Sequence, residues 1–298
     1  MAISQVRAQI NGQWYTLSST DGKNYKATLT APTITSYNQP NHYYNVRVEA
    51  TNDAGTTGSA DGTTLETLRL YVEERVKPVV TISSPSNGAY VTNNKQPIIF
   101  TATDETNGSG LDLSSLVVKL DSTTVASSTI TKTAITNGYR FTYTPATAMA
   151  DGKHTVTVNI SDNDGNAATQ KTTSFTVDTV APTLNITAPS EGLVTNAAAL
   201  TVTGTTNDAT SSPVTIKISL NGANQGTVSV SGGAFSKQIT LAEGENTITI
   251  TATDAAGKVT TVTRHVTLDT SVPVILSANI TPNPVDAGAT MVISVVIG

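Results

Sequence analysis

The stretch Ile248–Gly257, which reads ITITATDAAG, decides the fold of this protein. Its apolar residues stand at positions 248, 250 and 252, with threonine between them. Successive side chains of an extended strand point to opposite faces, so this alternation predicts one buried face and one solvated face. The Asp and the Gly that follow are typical of a turn. The stretch therefore predicts a half-buried strand that ends in a tight turn.

The same pattern occurs twice more, which indicates an internal repeat. It reads VRVEATNDAG at Val46–Gly55 and VTVNISDNDG at Val156–Gly165. A further short alternating segment follows each copy, and it ends in an acidic residue with a proline four positions later. These acid and proline pairs are Glu74 and Pro78, Asp178 and Pro182, and Asp269 and Pro273. We interpret each pair as the end of one domain, a short linker and the start of the next domain.

The repeat is about 90 to 105 residues long and holds about seven short strands, which is the size of an immunoglobulin-like sandwich. We therefore predict an all-β protein of tandem immunoglobulin-like β-sandwich domains in an extended rod. The predicted domains are 1–77, which is divergent, 78–181, 182–272, and 273–298. The last segment is either the first strands of a fourth domain or an intersubunit strand, because an open apolar strand invites edge pairing.

Composition excludes several classes of function. The chain has 298 residues, a net charge of −5, 13% charged residues and no cysteine. It has no basic stripe for nucleic acid, no apolar run long enough for membrane insertion, and no means of forming a disulfide. The N-terminal Met1–Arg7 lacks the layout of a secretory signal, so we expect either cytoplasmic synthesis or a signal that was removed.

No motif predicts catalysis, and we expect the protein not to be an enzyme. The three histidines, His42, His154 and His265, lack metal-ligand spacing, and we expect them at the surface or at sheet edges. No nucleophile elbow or phosphate-binding loop occurs. The single tryptophan, Trp14, is either a core anchor or an exposed contact, and core burial is the favoured interpretation.

The acidic residues suggest a different kind of site. In this topology the turn after the second strand and the turn between the sixth and seventh strands face the preceding linker. Two junctions would then gather carboxylates: Glu74, Asp104, Glu105, Asp162 and Asp164 at the first, and Asp178, Asp208 and Asp254 at the second. Ca²⁺ takes six to eight oxygen ligands, so a junction Ca²⁺ is one hypothesis, and no other cofactor is expected. The alternative is that these acids only bond their own turn backbones.

The motifs DTVAP at Asp178–Pro182 and DTSVP at Asp269–Pro273 resemble those of the bacterial Ig-like repeat family, which is found in surface proteins and phage tails. This resemblance covers the chain from about residue 78 onward and only the last two strands of the first domain. The opening, INGQWYTL at Ile10–Leu17, resembles the start of Ig-like proteins encoded in tail modules of phages and prophages of Gram-positive bacteria.

The resemblance implies a structural or adhesive accessory protein of a phage or phage-tail-like particle, in the tail, baseplate or fibre. Its implied partners are other particle or surface subunits and a host cell-surface glycan or protein. Its implied location is the virion, after synthesis in the host cytoplasm and release by lysis. The alternative is a secreted bacterial surface adhesin or cell-wall stalk at the cell surface. Spacer domains of a carbohydrate-active enzyme are a third interpretation.

Overall fold

The computed structural model describes residues 2–298, and Met1 lies outside them. The described chain is built of strands and short 3-10 helices, which confirms the predicted all-β class of tandem sandwiches. None of its helices has the length and apolar character needed to cross a membrane. Residue contacts divide the chain into two compact units, Met1–Asp178 and Thr179–Gly298. The predicted domain limits within these units stay predictions.

The N-terminal part of the first unit is a sheet of antiparallel strands with short 3-10 helices beside it. Its strands are β1 (Ile3–Ile10), β2 (Gln13–Ser19), β3 (Tyr25–Lys26), β4 (Tyr44–Asn45), β5 (Arg47–Asn52), β6 (Thr57–Asp61) and β7 (Arg69–Leu70), and its 3-10 helices are Ser36–Asn38, Pro40–His42 and Glu66–Leu68. The main sheet has the order β3-β2-β1-β5-β6, and β4 pairs only with β7. Its buried apolar residues are Val6, Ala8 and Tyr44.

The rest of the first unit is a sandwich of two sheets. Its strands are β8 (Val79–Ser84), β9 (Ala89–Val91), β10 (Ile98–Thr103), β11 (Leu111–Leu120), β12 (Thr123–Thr124), β13 (Ile130–Ile135), β14 (Gly138–Tyr143), β15 (Gly152–Asp162) and β16 (Lys171–Val177), with a 3-10 helix at Ser127–Thr129. The sheet orders are β13-β14-β10-β8 and β12-β11-β15-β16-β9. Because β9 pairs in parallel with β16, the segment after β8 crosses from one sheet to the other.

The second unit repeats this architecture. Its strands are β17 (Thr183–Ala188), β18 (Leu193–Thr195), β19 (Ala199–Asn207), β20 (Thr215–Leu220), β21 (Ala223–Asn224), β22 (Val230–Ser231), β23 (Ala234–Thr240), β24 (Gly244–Thr253) and β25 (Val259–Leu268). The sheet orders are β17-β19-β23-β22 and β18-β25-β24-β20-β21. The parallel pair of β18 with β25 corresponds to that of β9 with β16. The two sandwiches thus share one topology.

The core of each sandwich follows from the alternation in the sequence. Ile248, Ile250 and Ala252 of β24 are fully buried, as the pattern ITITA predicts. In the first unit the rings of Phe100 and Phe141 stack with centroids 4.9 Å apart between the two sheets. The two sandwiches have separate clusters of buried apolar side chains. Each sandwich therefore buries an interior of its own.

The C-terminal segment is a hairpin of β26 (Ile275–Thr281) and β27 (Val292–Ile297). Its register places Ala278 opposite Val295 and Ile280 opposite Ile293. One face is therefore apolar, and every residue of the hairpin is exposed. The hairpin agrees with both interpretations of residues 273–298.

Two expectations about single residues are wrong. Trp14 is not a core anchor, because it lies on the solvent face of the first sheet with 38% of its surface exposed. The Arg7 guanidinium, which stacks 4.1 Å from its ring centroid, partly covers it. His154 is not at the surface, because it is 8% exposed and is hydrogen-bonded at both ring nitrogens. A polar partner supplied by a distant loop makes that burial tolerable.

Candidate metal centre

Three segments of the first unit meet at one end of its sandwich. Glu74 lies in the extended segment between β7 and β8, Asp104 and Glu105 directly follow β10, and Asp162 ends β15. One carboxylate oxygen each from Glu74, Asp104 and Glu105 lies within 4.8 Å of the other two. We call Glu74, Asp104, Glu105 and Asp162 the acidic cluster.

The loop after β10 is held in place by polar contacts with the turn after β15. The Asn163 side-chain amide donates to the backbone oxygens of Ser109 and Gly110, at 2.8 and 2.9 Å. The backbone N–H of Gly110 donates to Asp104 Oδ2 at 2.7 Å. These bonds fold the loop back over its own start, which places Asp104 and Glu105 beside the end of β15.

The linker that carries Glu74 is attached to the same turn. The Glu74 backbone N–H donates to Asp164 Oδ2 at 3.0 Å. Asn166 Nδ2 lies between two acids, 3.1 Å from Glu74 Oε1 and 2.8 Å from Asp162 Oδ2, and donates to both. A side-chain amide thus connects the linker to the end of β15, and it brings the Glu74 and Asp162 carboxylates close together.

Two oxygens of the acidic cluster have no hydrogen-bond partner. Asp104 Oδ1 and Glu105 Oε2 are buried and unpartnered among the described residues. Asp104 is only 8% exposed. A buried acceptor without a donor loses its hydration without compensation, at a cost of roughly 1–3 kcal/mol or more when it is charged. Buried polar atoms in folded proteins usually have a hydrogen-bond donor, a water or an ion as a partner.

The acidic cluster also raises the pKa values of its own members. Burial, together with the neighbouring Asp162 and Glu105 carboxylates, raises the pKa of Glu74 to about 7. Burial and the adjacent Glu105 carboxylate raise the pKa of Asp104 to about 6. Both shifts mean that the charged form is disfavoured where like charges meet away from water.

The positive charge that would balance these acids does not come from the described chain. No ion pair joins a Lys, Arg or His side chain of residues 2–298 to Glu74, Asp104, Glu105 or Asp162. A cleft of about 700 Å³ opens beside Asp104 and Glu105. The acidic cluster is therefore reachable from solvent and carries negative charge without a protein counterion.

Asp164, which the sequence grouped with these acids, lies at the same end but makes different contacts. Its Oδ2 accepts from Thr35 Oγ1 at 2.6 Å and from the backbone N–H of Glu74 at 3.0 Å. Thr35 belongs to the N-terminal part of the unit. Asp164 thus connects the turn after β15 to the N-terminal part and to the linker.

The acids of the second unit occupy matching positions. Asp208 follows β19 and Asp254 follows β24, and one oxygen of each lies within 4.8 Å of the other. Asp208 Oδ1 accepts from the backbone N–H groups of Thr210 and Ser211, and Asp254 Oδ1 accepts from that of Lys258. Asp254 Oδ2 is buried without a hydrogen-bond partner among the described residues. Asp178 is the last residue of the first unit, and its approach to these two acids stays a prediction.

Sequence reasoning missed the neutral residues that build the site. Asn166 bridges two acids, Ser109 donates to Glu74 Oε1 at 3.4 Å, and Gly108 lies against Asp104 and Glu105. The available signal was the spacing of Asn166, four residues after Asp162, where the second repeat has Lys258. Ser109 and Gly108 carry no such signal.

Comparisons with known proteins agree with this architecture. Residues 79–179 match the family described as bacterial Ig-like domain, and residues 182–270 match the family described as glucodextranase, domain B. With the two sandwiches, these matches show an Ig-like repeat protein. None of the curated proteins compared with the chain matches it.

Several solved structures are similar to the chain at low sequence identity. Fibronectin(III)-like modules of Clostridium thermocellum CbhA are 20% identical over 64% of this chain and 94% of theirs, with a TM-score of 0.39. Domains 3–5 of Drosophila OTK are 12% identical over 89% and 85%, with a TM-score of 0.30. SGBP-B of a Bacteroides ovatus mixed-linkage glucan utilization locus, solved with a mixed-linkage heptasaccharide, is 15% identical over 93% and 62%, with a TM-score of 0.21.

Proposed function

We propose that this protein is a non-enzymatic structural and adhesive accessory of a phage or phage-tail-like particle, and that it spaces and displays a binding surface. Its Ig-like modules belong to a class that is typically non-catalytic. The resemblance of Ile10–Leu17 to Ig-like proteins of phage tail modules supports the particle over a cell-wall stalk. The proposed location is the virion, and the proposed partners are other particle subunits and a host cell-surface glycan.

One observation carries the adhesive role: Trp14 is displayed on an exposed polar sheet face. Trp14 of β2 lies opposite Gln9 of β1, which lies opposite Arg47 of β5. Arg47 Nη2 and Arg7 Nη2 lie 2.8 and 2.7 Å from the two carboxylate oxygens of Glu49. An aromatic ring beside fixed hydrogen-bonding groups on a rigid sheet is the arrangement that a pyranose ring can stack on and bond to.

The location is tested by immunogold electron microscopy of purified particles and of producing cells, with antibodies against this chain. Labelling of particle tails or baseplates is the expected result. Labelling confined to the cell wall, with bare particles, would instead favour the secreted adhesin.

The adhesive surface is tested by binding of the full chain to host cell walls and to glycans released from them. Trp14→Ala should weaken binding by roughly two- to tenfold, since stacking on an aromatic ring contributes about 0.5–1.5 kcal/mol. The matched control is Tyr90→Ala, which removes another exposed aromatic ring from the same unit. Equal binding by the parent chain and both variants would exclude this face as the adhesive surface.

A further inference from the structure

We propose that Glu74, Asp104, Glu105 and Asp162 bind a Ca²⁺ ion at the end of the first unit's sandwich. The geometry suits the ion. Ca²⁺ lies 2.3–2.6 Å from its oxygen ligands, so two oxygens that share one ion are separated by at most about 5 Å. The closest oxygens of Glu74, Asp104 and Glu105 are within 4.8 Å of one another.

A second observation points to a ligand independently of this clustering. Asp104 is more than nine-tenths buried, and its Oδ1 has no hydrogen-bond partner among the described residues. Its other oxygen is held by the backbone of Gly110 at 2.7 Å, which fixes the carboxylate in orientation. Glu105 Oε2, also buried and unpartnered, lies on the adjacent residue. Two preoriented carboxylates thus each have an oxygen that no donor of the described residues satisfies.

The donor set selects the ion. All charged groups of the acidic cluster are carboxylates, without His or Cys, which disfavours Zn²⁺ and favours a hard cation. Mg²⁺ requires a near-ideal octahedron at 2.0–2.1 Å, whereas Ca²⁺ accepts irregular sets of six to eight oxygens that include waters. Four side chains from three segments, beside a cleft of about 700 Å³ that admits water, form an irregular set.

The loop after β10 leaves room for these carboxylates because residue 108 is glycine. A Cβ at Gly108 would lie 2.6 Å from Asp104 Oδ2 and 2.8 Å from Glu105 Oε1. Both contacts are closer than van der Waals distance, so a side chain here would displace the two carboxylates. Gly108 therefore acts as a positioning residue for the acidic cluster.

A bound ion would connect the linker to the sandwich. Glu74 is the only cluster member on the linker, and the other three acids belong to the β10 loop and the end of β15. Opening of the linker would then require release of the ion. The hydrogen-bonded contacts of Asp164 with Thr35 and with the Glu74 backbone lie at the same place, and they would be stabilised with it.

The test is hydrogen exchange of the full chain, followed by mass spectrometry, in Ca²⁺ and in EDTA. Peptides from residues 71–78 and 104–110 should exchange more slowly in Ca²⁺, by roughly tenfold at a free concentration ten times the dissociation constant. Unchanged exchange in both segments would overturn the proposal. Equal protection by Mg²⁺ at the same concentration would overturn the assignment to Ca²⁺.

Charge-removing variants separate an ion site from a merely structural cluster. Asp104→Asn and Glu105→Gln should each raise the melting temperature in EDTA by roughly 2–4 °C, because like charges are removed, and should abolish the Ca²⁺-dependent protection. Glu73→Gln, an exposed acid next to Glu74, should change neither property. If one cluster variant fails to fold, the other decides. Retained Ca²⁺ protection in a folded variant would contradict the proposal.

Gly108→Ala is the third variant. Its added methyl group should shift the Asp104 and Glu105 carboxylates and weaken the Ca²⁺-dependent protection from hydrogen exchange without removing a charge. A Ca²⁺ response equal to that of the parent chain would show that the acidic cluster is not the site.

Discussion

The buried His154 is hydrogen-bonded to the exposed Asp121, with Nδ1 of the imidazole 2.6 Å from Asp121 Oδ2. The other ring nitrogen, Nε2, lies 2.8 Å from the backbone oxygen of Ala150. Both partners can only accept, so both ring nitrogens must carry a proton for the two bonds to form. Burial alone lowers the pKa of His154, but the bonds to Ala150 and Asp121 outweigh it and the net shift is upward.

The second unit has a neutral version of this pair. Asn246, fully buried in β24, accepts from Asn221 Nδ2 at 3.1 Å. Asn221 Oδ1 accepts from the backbone N–H of Thr247, just as Asp121 Oδ1 accepts from that of Thr155. The same scaffold position thus holds a titratable pair in one repeat and a non-titratable pair in the other.

We predict that the His154 pair makes the first unit less stable as the pH rises. A histidine whose folded pKa exceeds its unfolded value of about 6.5 stabilises fully below that value. The stabilisation is lost as the pH rises through the folded pKa. The stability difference between the parent chain and the variant His154→Asn with Asp121→Asn should therefore be largest near pH 5 and smaller by about pH 8.

Calorimetry of both chains across this range measures that difference. Glu74 and Asp104, with pKa values of about 7 and about 6, also titrate here, but they are common to both chains and cancel. A pH-independent difference would show that folding does not shift the pKa of His154.

Phe141→Ala should destabilise the first unit by roughly 3–5 kcal/mol, because it removes a buried ring that stacks on Phe100 and leaves a cavity. The transition of the second unit should stay unchanged, since its core is a separate cluster. Val117→Ala, at a position on β11 that is 42% exposed, is the control and should have little effect. Thermal unfolding measured by calorimetry distinguishes the transitions of the two units. Equal shifts in both transitions would contradict separate cores.

Gly204→Ala should destabilise the second unit, by roughly 1–3 kcal/mol as expected for overpacking. A Cβ on this β19 residue would lie 2.5 Å from Asn185 O and 2.5 Å from Phe235 Cζ, so either the sheet or the ring must move. Gly58→Ala, in strand β6 with no atom within 4 Å of the added Cβ, should be neutral or slightly stabilising. Urea denaturation of both variants measures the contrast, and similar losses would refute the steric explanation.

Arg7→Ala should shift the emission of the single tryptophan to longer wavelength, because the guanidinium that stacks on Trp14 is replaced by water. It should also cost about 1 kcal/mol, since the cation–π contact and one of two ion pairs of Glu49 are lost. Arg75→Ala, which removes an exposed arginine elsewhere in the unit, should leave the emission unchanged. An unshifted spectrum for Arg7→Ala would show that the ring is solvated already.

The strands and the repeat could be predicted because they depend on neighbours in sequence. Alternation at Ile248, Ile250 and Ala252 is a property of adjacent residues. A spacing of two is the regular spacing that puts apolar side chains on one face of a strand. The turn at Asn221-Gly222 could be predicted for the same reason, and its two residues have φ values of 52° and 83°. The sequence also placed five acids of the first unit at one end of a sandwich.

The tertiary structure alone decided what those acids contact. Glu74 and Asp164 are 90 residues apart. Whether Asp164 contacts the Glu74 side chain or the Glu74 backbone N–H depends on how the three segments pack. Their packing places Asp164 against Thr35 and Glu74 and leaves Asp104 Oδ1 without a partner among the described residues. Tertiary packing elsewhere in the unit exposes Trp14 and buries His154. Local alternation specifies which face of a strand is buried, but it carries no information about the distant atom that a polar group finds there.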